Sequence, residues 1–134
     1  MEKNQKKKND KVVCLVALNG NGEILLVQKQ NVWILPGGIQ TAEESDLECL
    51  TRNLSEQLPC VRADKPAFFG AFFGQSAFGG YNLDAVTYHA KILGEILPGE
   101  NFSARWFNNE ELEEVKLSEI THKVVDSLME QKRL

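Results

Sequence analysis

The first part of the chain alternates apolar runs with turn-forming residues. Residues 12–18 and 23–29 are rich in Val, Ile and Leu, and Asn-Gly-Asn-Gly at 19–22 separates them. Asn and Gly tolerate the positive φ of tight hairpin turns, so the two runs predict a β-hairpin. A third apolar run, 33–35, stops at 36–38, where Pro-Gly-Gly breaks regular structure. We therefore expect a short strand followed by a loop whose backbone can approach a ligand closely.

The spacing of apolar residues then changes to that of an α-helix. Leucines recur at three- and four-residue intervals, at Leu47, Leu50, Leu54 and Leu58. Thr41, with Glu44 three residues later, matches a capping box, and Pro59 cannot continue a helix. The pattern predicts a helix over 42–58. Steps of four residues would align one charged stripe along it, formed by Glu44, Glu48, Arg52 and Glu56.

The second half of the chain predicts strands followed by helices. Near-repeats of Ala-Phe-Phe-Gly begin at residue 67 and indicate a strand and a glycine-rich turn. The elements predicted after that turn are a long strand over 83–93, a short strand over 104–107, a short acidic helix over 109–115 and an amphipathic helix over 117–132. Because strands precede, interrupt and follow helices, the fold class is α+β or a mixed α/β sandwich.

Length and charge restrict the kind of protein. The chain has 134 residues, a single-domain size, and a formal net charge of -4. Five lysines lie within the first eleven residues, so the remainder is more acidic than the total suggests. An acidic body lacks the basic patch that binding to a nucleic acid polymer requires. We expect a flexible lysine-rich tail over 1–10 and one domain over 11–134.

Cysteine content and hydropathy indicate where the protein works. The three cysteines include no C-x-x-C pair and are accompanied by two histidines, so neither a disulfide framework nor a zinc site is supported. No stretch approaches the length of an apolar membrane helix. We expect a cytoplasmic protein that does not interact with membranes.

One motif carries candidate chemistry. Gly38 is followed after five residues by Glu44, after seven more by Arg52, and then in register by Leu54 and Glu56. This spacing resembles the Nudix box, G-x5-E-x7-R-E-U-x-E-E-x-G-U, where U is aliphatic, and the divergent box here ends at Cys60. The resemblance implies an α/β/α sandwich with a mixed β-sheet. It also implies hydrolysis of a nucleoside diphosphate linked to another group, a pyrophosphohydrolase activity.

The resemblance further implies roles for individual residues. Clustered carboxylates would hold Mg²⁺ or Mn²⁺, which neutralises phosphate charge and produces a nucleophilic water. The implied catalytic residues are Glu56, Arg52 and Glu100, with Arg52 orienting Glu56 or Glu48. The implied substrate-binding residues are Lys29, Gly37 and Gly38. The implied metal ligands are Glu56, Gln57, Asn53 and Gly38. The expected partner is a small-molecule nucleotide or another diphosphate compound.

The sequence departs from the Nudix box at positions that the resemblance assigns to metal binding. Asn53 and Gln57 occupy positions where the family has glutamate, and Pro59 replaces the closing glycine. The amides bring no charge, so Mg²⁺ would bind weakly or with the help of substrate phosphates. Two hypotheses follow: a hydrolase with a depleted metal site, and a catalytically inactive Nudix-fold module that binds or regulates. A third, a homodimeric scaffold, is motivated by the Gly- and Phe-rich segment 67–81.

Overall fold

A computed structural model describes residues 9–134 of the chain. The tail predicted over 1–10 therefore lies almost wholly outside the described residues. The strands are β1 (Asp10–Val16), β2 (Ile24–Lys29), β3 (Val32–Ile34), β4 (Gly37–Ile39), β5 (Arg62–Gln75), β6 (Asn82–Leu93) and β7 (Ser103–Phe107). The helices are α1 (Asp46–Gln57), α2 (Asn109–Leu112) and α3 (Glu119–Glu130). None of the helices in this part of the chain is long and apolar enough to cross a membrane.

The strands form two sheets. The larger sheet has the order β4-β1-β6-β5, in which β1 and β6 are parallel and the other pairs antiparallel. The smaller sheet has the order β3-β2-β7 and is antiparallel. The predicted hairpin after residue 67 is confirmed, since β5 and β6 are antiparallel neighbours joined through 76–81. The hairpin predicted over 12–29 is wrong, because β1 and β2 belong to different sheets and the chain between them forms an isolated bridge from Leu18 to Ile24. The mixed sheet and the predicted fold class are confirmed.

Alternation along β1 explains the layered architecture. Val13 and Leu15 point to a core that includes buried residues of α1, whereas Val12 and Cys14 point to a core that includes buried residues of α3. Successive side chains of a strand face opposite sides of its sheet, so one strand supplies both cores. The helices α1 and α3 therefore cover opposite faces, which gives the predicted α/β/α sandwich.

The start of α1 differs from the prediction. The helix begins at Asp46 rather than at 42, and its capping box is formed by Ser45 and Glu48. The hydroxyl of Ser45 accepts from the backbone N–H of Glu48 at 3.1 Å, and the Glu48 carboxylate accepts from the N–H of Ser45 at 2.8 Å. Thr41 and Glu44 instead form a turn that precedes the helix. Two consecutive S/T-x-x-E patterns, at 41–44 and 45–48, compete here, and the second one forms the N-terminus of the helix.

Candidate active site

A cavity of about 350 Å³ opens between α1, the β4 strand and the turn that joins β5 to β6. This volume is within the range of small-molecule sites. Its floor is apolar and includes Val12, Ile34 and Leu83. Its charged lining residues are Lys29, Arg52 and Glu56. The cavity therefore combines an apolar interior with a few charged groups, which is the usual composition of a site for a small organic ligand.

The glycine loop forms one wall of this cavity. Gly37 has φ +136°, a conformation that L side chains rarely adopt, and a Cβ there would lie 2.1 Å from the carbonyl oxygen of Val13. A Cβ on Gly38 would lie 2.3 Å from Oδ1 of Asn53. Both glycines line the cavity. Only residues without a side chain allow β4 to pack this closely against β1 and α1.

Arg52 lies on the cavity side of α1, but its hydrogen-bond partners belong to the segment that precedes the helix. Its Nε and Nη2 both donate to the Glu44 carboxylate, and Nη2 also donates to the carbonyl oxygen of Ile39 at 3.0 Å. The guanidinium lowers the pKa of Glu44 to about 2, and the carboxylate raises the pKa of Arg52. The prediction that Arg52 orients Glu56 or Glu48 is wrong, because the turn before α1 carries its carboxylate partner.

Two buried amides of α1 lie against the glycine loop, and one of them hydrogen-bonds it. Gln57 makes a reciprocal pair with Gly37: its Oε1 accepts from the Gly37 N–H, and its Nε2 donates to the Gly37 carbonyl, both at 2.9 Å. Asn53 donates from Nδ2 to the carbonyl oxygen of Cys49 at 2.9 Å, while its Oδ1 faces Gly38. The side chains are almost fully enclosed, with 5% of Gln57 and 8% of Asn53 exposed. The polar atoms of the Gln57 amide are thus engaged with backbone.

These pairings bear directly on whether the residues present fit a divalent metal. Gly38 offers its carbonyl oxygen to the Cys49 thiol at 3.5 Å, and the Gln57 oxygen faces a donor. Within residues 9–134, Glu56 is the one carboxylate that lines the cavity, and no group of three or more His, Cys, Asp or Glu side chains could hold a metal ion. Mg²⁺ prefers several oxygen ligands that include carboxylates. The predicted ligand set does not fit a metal centre held by the protein alone.

The other predicted substrate and catalytic residues are only partly brought together. Lys29 lies at the end of β2 and lines the cavity, with Nζ 5.2 Å from the centre of the Phe78 ring. Glu100 is exposed in the loop before β7 and is not among the cavity lining, whereas Phe102 of the same loop is. The structure therefore groups Lys29, Arg52 and Glu56 and leaves Glu100 outside.

Sequence reasoning missed the opposite wall of the cavity. This wall comes from residues 75–78, from Tyr81 and from Phe102. The backbone N–H of Ser76 donates to the Tyr81 carbonyl at 2.9 Å, which closes the turn. Glu119, at the start of α3, accepts from the N–H of Gln75 at 3.0 Å and fixes the end of β5. The glycine-rich turn was the sequence signal available, but nothing in it indicated which surface it would face.

Cys14 lines the cavity, which raises the question of whether its thiol acts as a nucleophile. Burial raises the pKa of its thiol to about 12. The thiol is therefore protonated at neutral pH, and a protonated thiol is a poor nucleophile. Cys14 contributes apolar surface to the cavity rather than covalent chemistry.

Comparison with known proteins identifies relatives of the fold. The sequence model of a family described as NUDIX domain matches residues 8–128. No curated protein sequence matches the chain. A MutT NUDIX hydrolase from Burkholderia pseudomallei has a similar structure, with a TM-score of 0.78, 20% identity and coverage of 90% of this chain and 98% of that one. The MutT protein from Methanosarcina mazei Go1 gives a TM-score of 0.78 at 16% identity, covering 98% and 100%.

A third similar structure belongs to a longer protein. The bifunctional NMN adenylyltransferase/ADP ribose pyrophosphatase from Francisella tularensis gives a TM-score of 0.71 at 17% identity, covering 95% of this chain and 42% of that one. At these identities the structural likeness shows the fold alone. The family match, by contrast, covers almost the whole chain.

Proposed function

The chain belongs to the Nudix family, and from this premise we propose that it binds a small diphosphate compound, such as a nucleotide derivative, and hydrolyses its diphosphate linkage. The observation that carries the proposal is the grouping of Lys29, Arg52 and Glu56 around one cavity of about 350 Å³. Two cations next to an apolar interior suit a ligand with an anionic part and a ring system. Two proteins of similar structure are named for such activities, an ADP ribose pyrophosphatase and a UDP-X diphosphatase.

In this proposal Lys29 and Arg52 bind the phosphate groups. Lys29 has no carboxylate partner among residues 9–134 and is exposed at the end of its strand. Arg52 uses Nε and Nη2 for Glu44 and Ile39, which leaves Nη1 without a partner in the described part of the chain. The Glu44 ion pair orients the guanidinium and reduces the entropy lost when that nitrogen binds an anion. Gly37 and Gly38 leave room for the ligand beside the loop.

Glu56 is the proposed general base. It is exposed on α1 and faces the cavity. Its carboxylate would accept a proton from water while the water oxygen forms a bond to phosphorus; the bridging P–O bond breaks, and the leaving phosphate keeps the electron pair. Glu100 receives no role, because it is not among the residues that line the cavity.

Divalent metal enters the proposal as part of the substrate. Nudix hydrolases generally use divalent metal ions, but the residues of this cavity do not fit a resident cluster. Mg²⁺ commonly reaches proteins already bound to phosphates. We propose that the substrate is a magnesium or manganese complex of the diphosphate compound. The three free thiols support a reducing compartment, such as the cytoplasm, as the site of action.

The test is product release from a panel of nucleoside triphosphates, nucleotide sugars and dinucleotides, with Mg²⁺ or Mn²⁺. The wild-type protein should release phosphate-containing products from at least one class. The Glu56→Gln variant should lower kcat by about 100-fold or more, because it removes the base. The matched control is Glu114→Gln, the same substitution at an exposed position outside the cavity lining, which should keep wild-type activity. Background release across the whole panel would exclude hydrolysis of these compounds.

A second candidate is a ligand-binding module without turnover. The observation that favours it is the engagement of Asn53 and Gln57 in neutral hydrogen bonds at positions where the family has glutamate. A module would show a ligand-induced rise in Tm with a member of the same panel and no product. An enzyme would show both. The comparison of thermal shift with product release on one set of compounds therefore separates the two candidates.

A further inference from the structure

The contacts between α1 and the glycine loop form a closed hydrogen-bonded unit. The amide of Gln57 and the peptide group of Gly37 each donate one hydrogen bond to the other. The next turn back along α1 places Asn53 against Gly38, with its amide nitrogen anchored on the helix backbone. Gln57 thus binds Gly37 by hydrogen bonds, and Asn53, four residues earlier on the same helix face, packs against Gly38.

Neutral side chains are required by this arrangement. A carboxylate at position 57 would accept from the Gly37 N–H but would place its second oxygen next to the Gly37 carbonyl, 2.9 Å away in the present pair. Two buried acceptors at this distance repel each other unless a proton or a cation lies between them. The amide supplies the missing positive partner through its own N–H, so no cation is required at this point.

We propose that Gln57 and Asn53 are positioning residues that replace a divalent ion as the link between α1 and the Gly37–Gly38 loop. The cavity wall is therefore already formed in the protein without metal, and the stability of the empty protein does not depend on Mg²⁺. The inference goes beyond the proposed function because it concerns the protein before any ligand binds. It can fail while hydrolysis is observed, and it can hold when no substrate is found.

The test measures thermal unfolding of the full chain in EDTA and in millimolar Mg²⁺, with NaCl added to equal ionic strength. The wild-type Tm should be the same in both within about 1 °C, since an ion that does not bind the native state cannot stabilise it. Gln57→Glu should lower the Tm in EDTA by about 5 to 10 °C, because it leaves buried acceptors unpaired. Mg²⁺ should restore at least half of that loss, and Asn53→Glu/Gln57→Glu should respond more strongly.

Two control variants distinguish loss of the link between α1 and the loop from non-specific destabilisation of the protein. Thr51→Glu adds a carboxylate to an exposed position of the same helix and should give no Mg²⁺ response. Gln57→Met keeps the size of the side chain without its polar atoms, and should lose stability that Mg²⁺ does not restore. The inference is overturned if Mg²⁺ raises the wild-type Tm beyond the NaCl control, if Gln57→Met is as stable as wild type, or if Mg²⁺ leaves Gln57→Glu unchanged. If the double variant does not fold, the Tm values of the wild type and the single variants still test the inference.

Discussion

Replacement of Gly37 by alanine is the most stringent test of the cavity wall. The added Cβ would lie 2.1 Å from the Val13 carbonyl oxygen and 2.8 Å from the Cα of Cys14, both of which are backbone atoms of β1. The backbone φ of +136° is also strained for alanine. A central strand cannot shift to relieve the clash without disturbing its pairing with β6. We therefore expect the loop to move instead.

The cost can be worked out from the contacts that would be lost. Strain at such a backbone conformation costs about 1 to 3 kcal/mol. Movement of the loop would break the two hydrogen bonds with Gln57, each contributing about 1 kcal/mol. The free energy of unfolding should fall by about 3 to 5 kcal/mol, out of a total of about 5 to 15 kcal/mol for a domain. For a chain of this length, the Tm should fall by about 10 to 20 °C.

The assay is urea unfolding followed by circular dichroism, with Gly20→Ala as the matched control. Gly20 lies in the turn before β2, and a Cβ there would meet nothing within 4 Å. Its substitution should change the free energy of unfolding by less than about 0.5 kcal/mol. If Gly37→Ala were as stable as Gly20→Ala, the close approach of the loop to β1 would not exist in solution.

Three further predictions concern α1 and the thiols. Ser45→Ala should destabilise the protein by about 1 kcal/mol in urea unfolding, and Thr41→Ala by less, because Ser45 is the N-cap. The depressed pKa of Glu44 contributes stability that is fully present above its usual value of 4.5 and is lost as pH falls towards about 2. Wild-type stability should fall across this window more steeply than that of Glu44→Gln, in which Arg52 has lost its charged partner; parallel curves would contradict the ion pair. Iodoacetamide should add one group to the native protein, at the exposed Cys60, and none to Cys60→Ser, as checked by mass spectrometry.

Much of the fold could be predicted because its signals are local. The apolar period of α1 and the alternation along β6 each lie within one element. The Asn-Gly-Asn-Gly turn is also a local signal, but it could not show that the strands on its two sides belong to different sheets. The start of α1 could not be chosen in this way, since Thr41 and Ser45 both precede a glutamate by three residues. Arg52 decides between them by binding Glu44, which keeps that carboxylate outside the helix. A contact across eight residues and a turn is not visible in either pattern.

The site was less predictable than the fold for the same reason. The motif placed Asn53, Glu56 and Gln57 on one helix face, and the structure has them there. The motif could not show that the Gln57 amide matches the peptide group of Gly37, because that pairing depends on the strained φ of the glycine. It also could not bring Phe78 and Tyr81 opposite the helix, since that placement depends on the parallel pairing of β6 with β1, which joins residues distant in sequence.

The strand β1 also determines where the chain can change length. Its side chains alternate between the core beneath α1 and the core beneath α3. Deletion of one residue within β1 would turn each following side chain of the strand to the opposite core. Both α1 and α3 would then lose their packing contacts with β1. Deletion of one residue from the turn at 19–22, which is largely exposed, would alter a single connection. Natural variants of this protein should accordingly differ in length at the turn and keep the length of the strand.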